Sequence, residues 1–450
     1  MFLDKYPCLG KFSIDLATLF AVLIIIAGAA IRLMLILNGY PTTNSDEATV
    51  GLMALHISHG QDFPAFLYGQ ASLGAVEAYM GAVLFSILGP SVFALRLGVL
   101  LFFIAFPICM YVLTRLLYSK GLALVTLVLL GVGTPEIFFR SIPAFAGHAE
   151  TPLFGALIML LSISLGLASL SPSPATQPFS SRRLILLYAL WGIVAGAAFW
   201  NDALAGAFII SGGLFLLVCC RRTLRVQTIS ALLLGLVIGI LPMILNDLLI
   251  VGGPKSLSVV GFLTASAGAH SLFEHFAASF LVSLPVASGG TSLCTITNWR
   301  TDPWPITSHT GPQVLQCTAL HGTWAAVMLA AWFAAVIMEV SILGRRWLLV
   351  RADKKVTGDG KQAGSTLVTT PPAKEQRAVV LRYARLMLLG SAALTWLVFT
   401  LSSSPIVFPW GNFRYLIGLG VATPAVLWPL WKPITARVST PIRLSPALLS

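Results

Sequence analysis

Ten times along this chain an apolar run of roughly twenty residues appears, a length that calls for burial in lipid or in a very large core. The runs are Ile14 to Leu37, Val92 to Leu113, Leu122 to Phe139, Leu153 to Leu170, Leu184 to Trp200, Ala203 to Cys219, Ile229 to Ile250, Thr323 to Leu343, Leu386 to Leu401 and Tyr415 to Trp431. Hydrophobic residues make up 57% of the 450 and charged residues only 10%. That is too little polar surface for a soluble protein enclosing all ten runs. The sequence therefore predicts an all-α polytopic membrane protein of about ten transmembrane helices, because a helix satisfies its own backbone hydrogen bonds in lipid.

Charge asymmetry orients the spans, since Lys and Arg in short loops stay on the cytoplasmic side. With both ends inside, that side holds Lys5, Lys11, Arg115, Lys120, Arg182, Arg183, Arg221, Arg222, Arg225, the basic run from Arg345 to Arg385, and Lys432, Arg437 and Arg443. Most acids and all 7 histidines fall on the outer side. The net charge of +12 is then a topology signal rather than a nucleic-acid footprint. One membrane domain over 1–450 is expected, with an outer loop at 39–91 carrying interfacial helices, a second outer loop at 251–322 and a cytoplasmic loop at 345–385. The N-terminal run has no small-residue cleavage site and reads as a retained first span. Cys294 and Cys317 both fall in the 251–322 loop, where a disulfide would close it in an oxidising compartment. Cys8, Cys109, Cys219 and Cys220 read as small apolar residues near spans.

Candidate chemistry concentrates on the outer face. Between Leu33 and Leu95 the chain carries Asp46, Glu47, Asp62 and Glu77 and no Lys or Arg. Asn44-Ser45-Asp46-Glu47 is also an ordinary helix start, with a capping residue and acids in the first turn. Glu77 sits in a helical run that is apolar on every side and calls for a partner or a role. Similar signals are Arg140, His148 and Glu150, the Trp200-Asn201-Asp202 end of one span, Asn246-Asp247 at the end of another, and Asn412-Phe413-Arg414-Tyr415 entering the last. His56, His59 and Asp62 have a helical spacing a divalent cation could use, and equally that of an amphipathic surface. The glycines of Gly131-Val132-Gly133 and Gly252-Gly253-Pro254-Lys255-Ser256 lack the strand context of a nucleotide site and read as turns.

The pattern Ser45-Asp46-Glu47-Ala48, Gly69-Gln70, Gly74-x-x-Glu77-Ala78-Tyr79, Leu84-Phe85-x-x-x-Gly89-Pro90-Ser91 and Ala94-Leu95-Arg96-Leu97 resembles the polyprenyl-phosphate-dependent glycosyltransferases of the GT-C superfamily. Within it the chain looks like the bacterial relatives of the protein O-mannosyltransferases, glycosyltransferase family 39. The similarity is most specific over Pro41 to Leu97 and runs more loosely through Gly147 to Glu150, Trp200 to Asp202, Leu241 to Asn246 and Arg414 to Leu416. It implies an enzyme of the plasma (inner) membrane with its active site on the extracytoplasmic side. Its partners would be a polyprenyl-phosphate-linked sugar, a glycan, lipid or protein acceptor, and membrane lipids, with no nucleic acid. The first-loop aspartate, here Asp46, would be the catalytic base or orient the acceptor. Some relatives carry a basic residue in the first loop for the donor phosphate; this loop has none.

Attack of a hydroxyl on an anomeric carbon with loss of a lipid phosphate needs a carboxylate for the proton and cations for the departing oxygens. Asp46 and Glu47 are the candidate catalytic pair. Gln70, Glu77, Tyr79, His148, Glu150 and Asp202 are candidate sugar or acceptor contacts. Arg414, Arg140 and Arg96 are candidate phosphate ligands, since the guanidinium fork suits phosphate. A divalent cation is a possible cofactor. A lipid-linked glycan polymerase or ligase would also show many spans and a large outer loop, but with paired arginines there. A transporter would place acids near the membrane midplane.

Overall fold

The computed structural model describes residues 15–70, 72–170, 181–251, 270–290, 312–356, 373–407 and 409–438. Cys8, Cys294 and the turn at Gly252 to Ser256 lie outside them. The described chain is helical: α1 (Leu16–Leu37), α2 (Ser45–Ser58), α3 (Val76–Leu88), α4 (Val92–Leu117), α5 (Lys120–Val132), α6 (Pro135–Arg140), α7 (Glu150–Ala168), α8 (Ser181–Asn201), α9 (Gly206–Cys219) and α10 (Val226–Leu245) lead into α11 (Leu272–Ala278), α12 (Leu284–Ser288), α13 (Pro312–Val356), α14 (Ala373–Leu401) and α15 (Thr423–Val438). Polar caps set the starts. Asp15, Ser91, Ser119 and Thr134 each accept a backbone N–H from the first turn of α1, α4, α5 and α6.

Among the described residues, eight helices are long and apolar enough to cross a membrane. Eight of the ten expected spans coincide with these. The other two fall on shorter apolar helices, because Gly133 at φ +64 and the Thr134-Pro135 start of α6 interrupt the run at Leu122 to Phe139, and because Asp202 caps a 3-10 turn (Ala203–Ala205) ahead of α9. The expected outer loop 251–322 contains apolar helix from Leu272 to Ser288, with a π-helical turn at Ser279–Ser283. Cys317 is disulfide-bonded. The basic segment after Arg345 continues α13 to Val356, and Ala373 onward belongs to α14.

One central core joins α4, α7, α8, α9 and α14 around Ile158, Met159, Tyr188, Phe208 and Leu388. Helices α8 and α10 meet back to back through two small-residue pairs. A Cβ added at Gly192 or Gly196 would stand 2.1 or 2.3 Å from the carbonyl oxygens of Leu232 and Leu236, and one at Gly235 or Gly239 would stand 2.2 or 2.3 Å from those of Ala189 and Ile193. Any side chain there forces the helices apart, losing the close backbone approach that holds helices together in lipid. At the end of the bundle where α1 finishes, α2 and α3 fold back against the start of α4 around Val50, Met53, Ala78 and Leu95.

Candidate functional site

Helix α2 decides the fate of the acidic pair. Asn44 is its cap, its Oδ1 accepting the Glu47 N–H at 2.9 Å, so Asp46 and Glu47 occupy successive first-turn positions about 100° apart on the helix. Asp46 is exposed and Glu47 is 1% exposed. The Glu47 carboxylate is gripped on both oxygens by Arg96, Nε to Oε1 and a terminal nitrogen to Oε2, each at 2.7 Å. Arg96 also donates to the Pro41 carbonyl at 2.8 Å. The pair therefore ties the start of α2 to α4, and neither residue lines the cavity described below.

The rest of the first loop is stitched to the end of α8. Leu67 N–H donates to the Leu73 carbonyl at 2.8 Å and Gly74 N–H to the Asn201 carbonyl at 2.9 Å, while Trp200 Nε1 donates to the Ala65 carbonyl at 2.8 Å. Gly74 is required: a Cβ there would lie 2.6 Å from the Asn201 Cα. The loop is braced on its outer side by Tyr68, which donates to Asp62 at 2.7 Å and shares a hydrogen bond with His56 Nδ1 at 3.0 Å. Burial, and then Asp62, push the Tyr68 phenol up to about 12. His59 Nδ1 instead meets the Leu55 carbonyl. These histidines brace structure, and no cluster of three metal-type ligands forms among the described residues.

A second turn faces this loop. Ala146 and Gly147 have φ of +47° and +87°, a left-handed pair that costs an alanine roughly 1–3 kcal/mol. Glu77 holds the turn, its Oε2 accepting the Ala146 N–H at 2.8 Å. Glu77 is 3% exposed and Glu150 fully buried. Burial, and then the adjacent Glu150 carboxylate, push Glu77 well above the ordinary carboxyl range. Among the described residues Glu77 Oε1 and both Glu150 oxygens make no well-formed hydrogen bond; the proton retained by Glu77 is what lets the two carboxyls sit together.

Between these segments lies a cavity of about 90 Å³, with Asp46, Gln70, His148, Thr151, Asp202, Thr395, Arg414 and Tyr415 as its polar lining and Leu67, Leu73, Phe145, Ile417 and Phe208 among its apolar walls. Asp202 accepts the Leu204 N–H at 2.9 Å and the Thr151 hydroxyl at 3.2 Å. Burial outweighs those bonds and pushes its carboxyl up to about 6. His148 is buried, and desolvation, then Arg140 and Arg414, hold its imidazole well below the ordinary range, so it is neutral at pH 7. Its Nδ1 and the Arg414 Nε have no hydrogen-bond partner among the described residues. Arg414 donates a terminal nitrogen to the Tyr415 hydroxyl at 3.1 Å. Arg140 lies over the rings of Phe145 and Phe413 at 5.6 and 5.0 Å, behind the wall.

The structure thus brings together Asp46, Gln70, His148, Asp202 and Arg414. It sets Glu77, Glu150 and Arg140 just behind the wall. Glu47 and Arg96 are joined to each other, and Tyr79 lies apart in the α3 packing. Thr151 and Phe208 were not anticipated: a threonine after Glu150 and a phenylalanine inside an apolar run carry no signal of their own. A second cavity, about 610 Å³, opens between α1, α5 and α6; it is lined by Ile24, Ile31, Val128, Val132, Phe138 and Phe139 among others. Beside it Arg32 is buried against the rings of Phe103 and Phe138 at 3.6 and 4.3 Å. It donates to Ser141 and to the carbonyls of Gly28 and Gly131.

No protein family and no curated protein matches the chain by sequence. Among solved structures, it is similar to the archaeal oligosaccharyltransferase AglB from Archaeoglobus fulgidus in complex with an inhibitory peptide and a dolichol-phosphate, at 14% identity and a TM-score of 0.50 over 94% of this chain and 52% of that one. The fold is an all-α polytopic membrane fold similar to that of the AglB structure. The apo form of the Archaeoglobus fulgidus oligosaccharyltransferase aligns at 15% identity and a TM-score of 0.49 over 94% and 53% of the two chains. The chain spans about half the length of the structures it matches, and at this identity the likeness is one of fold alone.

Proposed function

We propose that this protein is an integral-membrane glycosyltransferase that moves a sugar from a polyprenyl-phosphate donor to an acceptor hydroxyl on a glycan, lipid or protein, at the extracytoplasmic face of the plasma membrane. The observation that carries the reading is the convergence of Asp46, His148, Asp202 and Arg414 on one cavity from four distant segments. The apolar cavity beside α6 supports a donor delivered through lipid, since each buried methylene of a tail contributes about 0.8 kcal/mol. Its walls include Phe138 and Phe139, and the next residue, Arg140, stacks on Phe145 of the polar cavity. The motifs over Pro41 to Leu97 support a place near family 39.

In the reaction, Asp46 takes the proton of the acceptor hydroxyl as its oxygen bonds to the anomeric carbon. The bond from that carbon to the phosphate oxygen breaks, and the electron pair leaves with the lipid phosphate. Arg414, whose Nε has no hydrogen-bond partner among the described residues, holds the departing oxygens, with Arg140 adding positive potential nearby. Asp202, Gln70 and neutral His148 hold sugar hydroxyls. No step is assigned to a cation.

Purified protein incubated with a panel of polyprenyl-phosphate sugars should release polyprenyl phosphate. Release from diphosphate-linked oligosaccharides alone would move the reading to a glycan ligase. Export of a substrate without any release would make the protein a transporter.

A further inference from the structure

Phe208 lies at the base of the polar cavity, on α9, with 1% of its surface exposed. Glycines border one edge of its ring on two sides. A Cβ at Gly155 of α7 would stand 2.8 Å from its Cε2 and Cζ, and one at Gly418 would stand 3.0 Å from Cζ. Beneath it the side chain belongs to the central core with Ala156, Met159 and Phe215. The ring can neither swing aside nor sink, because close-packed interiors leave no space for either.

The space above the ring is small. As room open to the centres of water molecules, 90 Å³ holds about six to nine waters at roughly 10–15 Å³ each. Bonded atoms pack more tightly than liquid water, so the space enclosed above the ring suits the dozen or so heavy atoms of one pyranose ring.

We infer that Phe208 is a specificity-determining residue: its ring, fixed between Gly155 and Gly418, is the floor that limits the cavity to a single sugar ring and so selects donors carrying a monosaccharide over those carrying a longer glycan. This rests on the glycosyl-transfer reading above. Substitutions can move the floor in both directions. Phe208→Ala or Phe208→Leu lowers it, and Gly155→Ala pushes the ring up into the cavity.

The test measures binding of short-chain isoprenoid-phosphate donors carrying a pentose, a hexose or a disaccharide to the purified full chain in detergent, with thermal unfolding as the control for folding. The parent should bind the hexose and pentose donors and discriminate against the disaccharide. Phe208→Ala should raise the disaccharide-to-hexose affinity ratio by about tenfold or more, the scale on which apolar pockets sort substrates by size. Phe208→Leu, which keeps most of the core contact, should raise it less. Gly155→Ala should weaken hexose binding more than pentose binding. Equal affinity of the parent for hexose and disaccharide donors, or an unchanged ratio in a folded Phe208 variant, overturns the inference and leaves the proposed function standing. Absence of binding by every donor overturns both.

Discussion

At the end of the bundle where α1 begins, Asp15 is met by Arg115 at 3.2 Å and by Lys120. Nearby, Glu339 is held by Arg382 and Arg385 at 2.9 and 3.1 Å, and Arg385 also donates to the Leu117 carbonyl. At the end where α1 finishes, His148 and Arg414 keep buried nitrogens without hydrogen-bond partners among the described residues, and Asp46 and Asp202 face the same cavity. Both ends carry charge in quantity. At the first end the charges chiefly join helices, although Arg382 Nε makes no hydrogen bond among the described residues; at the other end four charged or ionisable side chains converge on one cavity. Buried polar groups normally find partners, so unpartnered nitrogens on residues that line a cavity mark the site more sharply than acid content does. The contrast also operates within a single dipeptide, since Glu47 is fully engaged by Arg96 and Asp46 is not.

The largest expected effect tests that dipeptide. Asp46→Asn should lower turnover by about 10²- to 10⁴-fold with donor binding retained. Because Asn44 is the cap, the unfolding midpoint should barely move. A folded Asp46→Asn protein within a few-fold of the parent rate would erase the distinction between the residues. Glu47→Ala should do the reverse, leaving Arg96 buried without its partner and costing about 3–5 kcal/mol of stability. Any soluble fraction should keep its turnover per folded molecule, as denaturation curves paired with activity would reveal.

A smaller effect comes from Asp202. Its carboxyl rises from 3.8 to about 6 on burial, so as a neutral acid it stabilises the fold fully below about pH 4, and that contribution is lost as pH climbs through 6. Turnover should run the other way, increasing through about pH 6 as the carboxylate that accepts sugar hydroxyls forms. Asp202→Asn should flatten both slopes, and a pH–rate profile of the variant that keeps the limb near 6 would assign it to another group. Smallest of all, Lys120→Ala removes a side chain 57% exposed at the end where α1 begins. It should leave turnover unchanged and the unfolding midpoint nearly so. A marked loss of activity would mean that the two ends are coupled.

Much of the fold was legible in the sequence because a bilayer imposes a one-dimensional rule. Runs such as Leu16–Leu37 and Val92–Leu117 announce themselves by length and composition. The same rule hid the break at Gly133 to Pro135, where an apolar run continues through a turn, and the helix from Leu272 to Ser288, which is too short to stand out beside polar neighbours. The glycine pairs Gly192/Gly196 and Gly235/Gly239 were readable as spacing, yet only the packed helices reveal that they face one another.

For the site, the sequence by itself determined which residue types were out of place in an apolar chain, namely Asp46, Glu77, His148, Glu150, Asp202 and Arg414. That follows from the cost of polar groups near lipid, which depends on the residue and its flanks alone. What only the tertiary structure decided was which of them meet a substrate-sized space and which meet each other. Glu47 lies beside Asp46 in sequence, but one helical step of about 100° turns it inward to Arg96. Glu77 and Glu150 are 73 positions apart and share a buried wall, while Phe208, unremarkable in its own helix, becomes the floor because Gly155 and Gly418 arrive from elsewhere in the chain. Contacts between distant segments set those roles, and no local pattern encodes them.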